Sequence, residues 1–194
     1  RARGALVPRN FVVVTAKHRT TGDPQVHGFW DDVETVTTNV ISGETGSSVS
    51  RTFQGDGAIL DCDPIPMRIG LEVRTIQLVL SAIHPGVEAM LRGDDPRGAK
   101  VEIYRGLLDP ATMLLVAAPR IRFLGKINGA PIETGAAGGE SRAILKIVSH
   151  TRELTRTNPA MKGDEQQRLR SGDRFRRYTG TAGEWPIFWG EKSS

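Results

Sequence analysis

Cysteine is nearly absent: Cys62 is the only one in 194 residues. An internal disulfide and a multi-cysteine metal cluster are both excluded, as expected of a chain folded in a reducing cytoplasm. Long apolar runs are missing too. No stretch approaches the ~20 apolar residues that span a bilayer, and Ala5-Leu6-Val7 is too short for the core of a secretory signal. The chain begins at Arg1 instead of Met, as expected where an initiator or a longer leader has been removed.

Catalytic signatures are also wanting. His18, His27, His84 and His150 fall in no His-Glu-x-x-His or other tight metal spacing. His27, with Asp31 and Asp32, reads as a turn histidine beside solvated acids. Asp61 and Asp63 bracket Cys62, and nearby negative charge disfavours the thiolate a nucleophile requires, so Cys62 reads as a small buried hydrophobe. The segment Ser42-Gly43-Glu44-Thr45-Gly46-Ser47-Ser48 lacks the lysine and the glycine spacing of a phosphate loop. It reads as a flexible hairpin tip. No Gly-x-Ser-x-Gly elbow occurs, and Asp94-Asp95, set between Gly93 and Pro96, reads as a solvated turn. The expectation is a protein that is not an enzyme and carries no cofactor or metal.

What is present is period-two alternation. Ile121, Phe123, Gly125 and Ile127 alternate with Arg120, Arg122, Leu124 and Lys126, as in a strand with one wet face. Val101, Ile103 and Leu107 alternate with Glu102 and Gly106, with Tyr104 on the polar side. Phe11–Val14, Val33–Val40 and Ala143–Val148 read as further strands, rich in β-branched residues. The span Leu71–Ile83 slips in phase: Leu71 and Val73 share one face, and Ile76, Leu78 and Leu80 the other. A regular strand would then expose half its apolar set, so a bulge or bend near Thr75 is expected.

Turn chemistry separates the strands. Gly22-Asp23-Pro24 marks one turn, Asp109-Pro110 a second at short hairpin distance, and Asn128-Gly129 a two-residue hairpin. Pro131 just behind requires the returning strand to be an edge strand or very short. Thr134–Glu140, with three glycines, reads as a mobile loop. Helix signals are few: Pro85–Leu91, with Val87, Met90 and Leu91 on one face and Gly93 as stop, and Asp164–Leu169, closed by Ser171-Gly172. The pattern predicts a mainly β fold, an antiparallel barrel or sandwich over residues 1–150, with one or two short helices. Val13, Val79, Leu80, Ile103, Phe123, Ile127, Leu145 and Ile147 should form its core.

Residues 151–194 differ in kind and form a basic, aromatic-rich extension expected to pack on the barrel or on a neighbouring subunit. Residues 1–140 hold 15 Lys/Arg and 16 Asp/Glu, a balance of −1; residues 141–194 hold 11 and 6, a balance of +5. The extension carries seven arginines, among them Arg174, Arg176 and Arg177, interleaved with Phe175, Tyr178, Trp185, Phe188 and Trp189. Arginine and tryptophan are enriched at the energetic centres of interfaces, and arginine makes planar, bidentate contacts. The same composition suits single-stranded nucleic acid, through stacking and phosphate contacts, so a nucleic-acid-binding barrel is the alternative function. Asp164, Glu165 and Asp173 would repel phosphate there. Closure of the chain's own barrel by Trp185 and Trp189, with the arginines solvated, is also open.

The run Ser171-Gly172-Asp173-Arg174-Phe175-Arg176-Arg177-Tyr178, followed by Trp185-Pro186-Ile187-Phe188-Trp189-Gly190, resembles the end of a family of tail-tip proteins. These are the hub or baseplate proteins of long-tailed bacteriophages and gene transfer agents, with a Gly-Asp segment, aromatics and a closing Trp-Gly. Val101–Leu108 and Arg122–Ile127 resemble the paired barrel strands of the same proteins, and Ser149–Asn158 with Gln166-Gln167-Arg168 resembles their downstream turn. The likeness spans roughly residues 70–190. It implies a tube-like barrel that assembles, as a trimer or hexamer, into a ring around the tail channel. The implied partners are other tail proteins: the tube or distal-tail ring, and fibre or spike proteins. DNA would pass only transiently through the channel. The implied place is the tail tip of the virion, after synthesis in the host cytoplasm. The cysteines that hold an iron–sulfur cluster in some tip proteins are missing here.

Overall fold

The structure, a computed structural model, describes residues 5–66, 72–136, 139–155, 157, 163–182 and 184. The chain divides into two units, Arg1–Thr155 and Arg156–Ser194.

The first unit is built from the alternating segments. Its strands are β1 (Val7–His18), β2 (Pro24–Trp30), β3 (Val36–Ile41), β4 (Ser48–Phe53), β5 (Ile59–Cys62) and β6 (Thr75–Ser81). Helix α1 (Pro85–Gly93) follows, then β7 (Asp94–Leu108), β8 (Arg120–Gly129), β9 (Ile132–Glu133), β10 (Arg142–Ser149) and a single turn, α2 (Thr151–Leu154). An eight-stranded sheet runs in the order β2-β1-β7-β8-β10-β6-β5, with β9 paired to β10, and β3-β4 forms a separate hairpin. Every strand pairing is antiparallel. The protein is therefore mainly β, an antiparallel sheet curled into a half-barrel.

Backbone bonds bring the sheet's two edges towards each other. Gln54 donates to the Gly28 carbonyl of β2 (2.9 Å) and accepts from Trp30 N (3.0 Å), while Ser81 N of β6 donates to Ala58 O (3.0 Å). The five residues 54–58 after β4 thus reach both β2 and β6, which the strand order leaves apart.

The inner face holds Val12, Val14, Phe29, Leu78, Leu80, Ile103, Ile127, Leu145 and Ile147, all at most 1% exposed. Each such side chain contributes about 1.5–3 kcal/mol by leaving water. Helix α1 lays Val87, Met90 and Leu91 on this core, the face its spacing requires. Its ends are tied as well. The His84 ring accepts from Gly86 N, and the Arg19 guanidinium donates to the Leu91 and Arg92 carbonyls, where a cation suits the helix dipole.

A second core lies on the opposite face of β1, β2 and β7. Phe11, Val13, Trp30, Tyr104 and Leu108 are covered there by Val40 and Phe53 of the β3-β4 hairpin. Phe11 stacks on Trp30 (5.1 Å between ring centres) and meets Phe53 edge-on (5.0 Å). Gly28 permits the hairpin to sit so low, because a Cβ at that position would overlap the Thr52 carbonyl oxygen of β4.

Several local expectations change. Tyr104 is completely buried, since its face of β7 is covered by the hairpin instead of water. Val79 is half-buried on the far face of β6, and Ile121 and Leu107 are exposed. The phase slip marks the start of a strand: β6 begins at Thr75 and alternates regularly, with Val73 ahead of it exposed. Leu71 lies outside the described residues. Asn128-Gly129 belongs to β8, at a register shift opposite Lys146/Ile147, and the short returning strand is β9. β7 and β8 are joined by residues 109–119, far more than a tight hairpin. Gly22 takes φ +78° at the β1-β2 turn, as its sequence context requires.

Candidate interaction surfaces

Glu102 projects from β7 onto the hairpin side and is 8% exposed. It accepts from Ser42 Oγ (3.1 Å), Gly43 N (2.8 Å) and Tyr104 Oη (2.8 Å). Residues 42–47 of the glycine-rich segment form the β3-β4 turn, and Glu102 pins its first residues, so its base is anchored. Burial, then the hydrogen bond and charge of Glu102, hold the Tyr104 hydroxyl well above the ordinary range, so it stays a donor. Beside this latch opens a cleft of about 420 Å³ lined in part by Arg51, Lys100, Lys126 and His150. Lys100 and Lys126 face each other across β7 and β8. Like charges so placed repel, and each is paired, Lys100 with Glu44 and Lys126 with Glu153 (2.5 Å). The cleft is charge-compensated.

Other acidic groups of the first unit are held in specific pairs. His27 stands in β2, not in a turn, and its Nε2 lies 2.6 Å from Asp94 Oδ2, with Asp94 3% exposed. Asp94 is thus part of a buried pair, where a solvated turn was expected. Asp31 binds Asn10 N and Nδ2 (2.8 and 3.1 Å), and Asp32 pairs with Arg9 (3.0 Å). Among the described residues no group of three or more His, Cys, Asp or Glu side chains could hold a metal ion.

Burial, with the charges of Asp31, Asp63 and Asp61, pushes the Cys62 thiol up to about 11. The shift is upward, so the thiol persists to high pH and thiolate emerges only as pH approaches that value. Alkylation by iodoacetamide at pH 8 should run roughly a hundred times slower than for a free cysteine. Unfolding in urea should restore the ordinary rate. Rapid stoichiometric labelling of the native protein would contradict this environment.

The first unit also leaves apolar groups in water at one end. Leu6, Leu107, Leu114 and Val116 are 49%, 41%, 69% and 58% exposed. This surface was missed in the sequence. The available signal was the doubled Leu107-Leu108 and Leu114-Leu115-Val116, which make both faces of a hairpin apolar where only one can be buried.

The second unit, considered by itself, carries α3 (Asp164–Arg168) and α4 (Thr179–Ala182). Helix α3 is closed at Ser171 and Gly172, both left-handed (φ +54° and +76°), with Gly172 N donating to Arg168 O (2.9 Å). Its N-cap is Gly163, without a side-chain bond, and Asp164 is its first residue. Arg174 pairs with Asp164 (2.6 Å) and Arg168 with Glu165 (3.2 Å), while Gln167 donates to Asp173 (2.7 Å). That amide, with the Phe175 N–H, holds the Asp173 carboxyl below its ordinary range. The Arg177 guanidinium lies 5.4 Å from the Tyr178 ring centre. Phe175 is 87% exposed, and Tyr178 and Leu169 stand out similarly. Arg174, Phe175, Arg176, Arg177 and Tyr178 thus share one short segment; Trp185, Phe188 and Trp189 lie outside the described residues.

No family model and no curated protein matches the chain. Among solved structures, it is similar to a chain of the virion of a native gene transfer agent particle. The TM-score is 0.48 and the identity 18%, over 84% of this chain and 47% of the other. The chain thus spans about half the length of that neighbour. No described helix is long and apolar enough to cross a membrane.

Proposed function

We propose that this chain is a structural subunit of a phage-type tail tip or baseplate. It self-associates, as a trimer or hexamer, into a ring around the tail channel. It anchors neighbouring tail proteins, namely the tube or distal-tail ring and fibre or spike proteins. Its place is the virion's tail tip. The contacts run through Arg174, Phe175, Arg176, Arg177 and Tyr178, with Trp185, Phe188 and Trp189 as further anchors.

The observation that carries this reading is the set of apolar and aromatic side chains held in water by hydrogen-bonded backbone, Leu114 and Phe175 foremost. Groups of that kind, gathered at defined places, mark contact surfaces. The tail-tip resemblance of residues 70–190 and the barrel-like antiparallel sheet support the same class. Nucleic-acid binding is the weaker reading, because Arg168 and Arg174 already have carboxylate partners within their own unit.

Sedimentation velocity over a wide concentration range tests it. The expected species is a trimer or hexamer of the 21.1 kDa chain. Trp189→Ala should weaken assembly about thirtyfold while leaving the β-sheet circular dichroism in place. A chain that stays monomeric at every concentration, yet binds single-stranded DNA with a steep salt dependence, would transfer the function to the nucleic-acid class.

A further inference from the structure

At one end the sheet runs past its own core. The β1-β7 register sets Val7 opposite Leu108 and Pro8 opposite Leu107. The chain then turns back: Leu108 bridges to Leu115, Val116 N donates to Leu107 O, and Asp109 N donates to Leu114 O (both 2.9 Å). The result is a ledge three strands wide. Alternation divides its side chains. Val7, Leu108 and Leu115 join the aromatic core, which leaves Leu6, Pro8, Leu107, Leu114 and Val116 on the other face, all exposed.

A polar layer separates this face from the inner core. Arg105 donates to Asn10 Oδ1 (3.2 Å), and Asn10 donates to Asp31 (3.1 Å). The apolar face is therefore a surface in its own right, not the frayed margin of the core. The turn that presents it is built, not slack: Met113 adopts φ +55°, a left-handed conformation unusual for a side-chain-bearing residue, and its N–H donates to Asp109 O (2.7 Å). Asp109 follows directly on β7 and holds a carboxylate in the turn beside this face, its Oδ1 accepting from Ala111 N (2.8 Å).

We propose that this ledge receives the basic aromatic segment, residues 169–178, of a second copy of the chain. The proposal rests on the ring reading above and names its contact. The segment offers what the ledge lacks: the exposed Leu169, Phe175 and Tyr178 for the apolar floor, and Arg177 for the Asp109 carboxylate. Charge runs the same way, with +5 in residues 141–194 against −1 in residues 1–140. Two different surfaces on each copy make a heterologous contact, and such contacts close rings when the rotation between subunits permits.

The test uses the full chain with benzoylphenylalanine in place of Phe175. Copies grown in nitrogen-14 and nitrogen-15 are mixed, irradiated and digested. Mixed-isotope cross-links into residues 107–116 are expected. Cross-links confined to single-isotope pairs, or falling elsewhere on the partner, overturn the proposal. Separately, the doubly substituted Leu114→Asp, Val116→Asp chain should keep its thermal transition, because both side chains are solvent-exposed, and lose about thirtyfold in association. If its oligomeric mass is unchanged, the ledge is not the contact, although the ring reading stands. If the unsubstituted chain never self-associates, the ring reading fails and this contact with it.

Discussion

Phe11→Ala is expected to destabilise the first unit by about 3–5 kcal/mol, a large part of the roughly 5–15 kcal/mol that holds a domain together. The residue is 0% exposed and lies between Trp30, stacked at 5.1 Å, and Phe53, edge-on at 5.0 Å. Truncation removes the ring's burial and both aromatic contacts, each worth about 0.5–1.5 kcal/mol beyond area. It also leaves a cavity that cannot collapse readily. One wall is strand β1, bonded on both sides, and the other is the hairpin, whose approach is set by Gly28. Urea unfolding followed by tryptophan fluorescence reads the loss directly, because Trp30 lines the cavity. A decrease below about 1 kcal/mol, the size usual for exposed substitutions, would mean that the hairpin does not seal this face.

Glu102→Ala should cost about 3 kcal/mol. Three donors converge on that carboxylate, and truncation leaves the Gly43 N–H and the buried Tyr104 hydroxyl without an acceptor. An orphaned buried donor is penalised by about 1–3 kcal/mol. Glu102→Gln should do less harm, because an amide oxygen can still accept from the hairpin turn. Tyr104→Phe together with Glu102→Ala should be less damaging than the sum of the two, since the hydroxyl then has no need of a partner. Urea midpoints of the four proteins decide the matter. Strict additivity would show that Glu102 and Tyr104 do not act as one latch.

Much of the first unit could be read from local pattern. The strands around Val101–Ile103, Phe123–Ile127 and Ala143–Val148 fall where alternation places them, and six of the eight proposed core residues meet in the inner core. Val13 and Val79 do not, and for the same reason. Alternation reports which residues share a face, but not what covers that face. The sequence of β1 was informative in retrospect: Phe11–Val14 are all buried, and a strand apolar on both sides needs two covers.

The candidate contact segment was legible as composition. Arg174, Phe175, Arg176, Arg177 and Tyr178 stand out as basic and aromatic because charge and ring content need no geometry to count. Their partners were not legible, since Asp164 reaches Arg174 from ten residues away through a left-handed turn. The ledge was hidden for a related reason. The pair Asp109-Pro110 suggests a tight turn, while the actual connection carries a second short ladder whose two faces have different fates.

What the sequence determined by itself is what depends on neighbours along the chain: the strands around Val101, Phe123 and Ala143, the apolar face of α1, the turn at Gly22 and the uneven charge. Side-chain period and glycine's access to positive φ are local properties, so they survive any change in the rest of the fold. The tertiary structure decided everything that depends on distant segments meeting. It laid the β3-β4 hairpin over Phe11 and Tyr104, turned Glu102 from a surface acid into a buried latch, and paired His27 with Asp94 across 67 residues. The reason is that burial and charge pairing are set by which surfaces enclose a group. That enclosure arises only when β2, β7 and the hairpin come together.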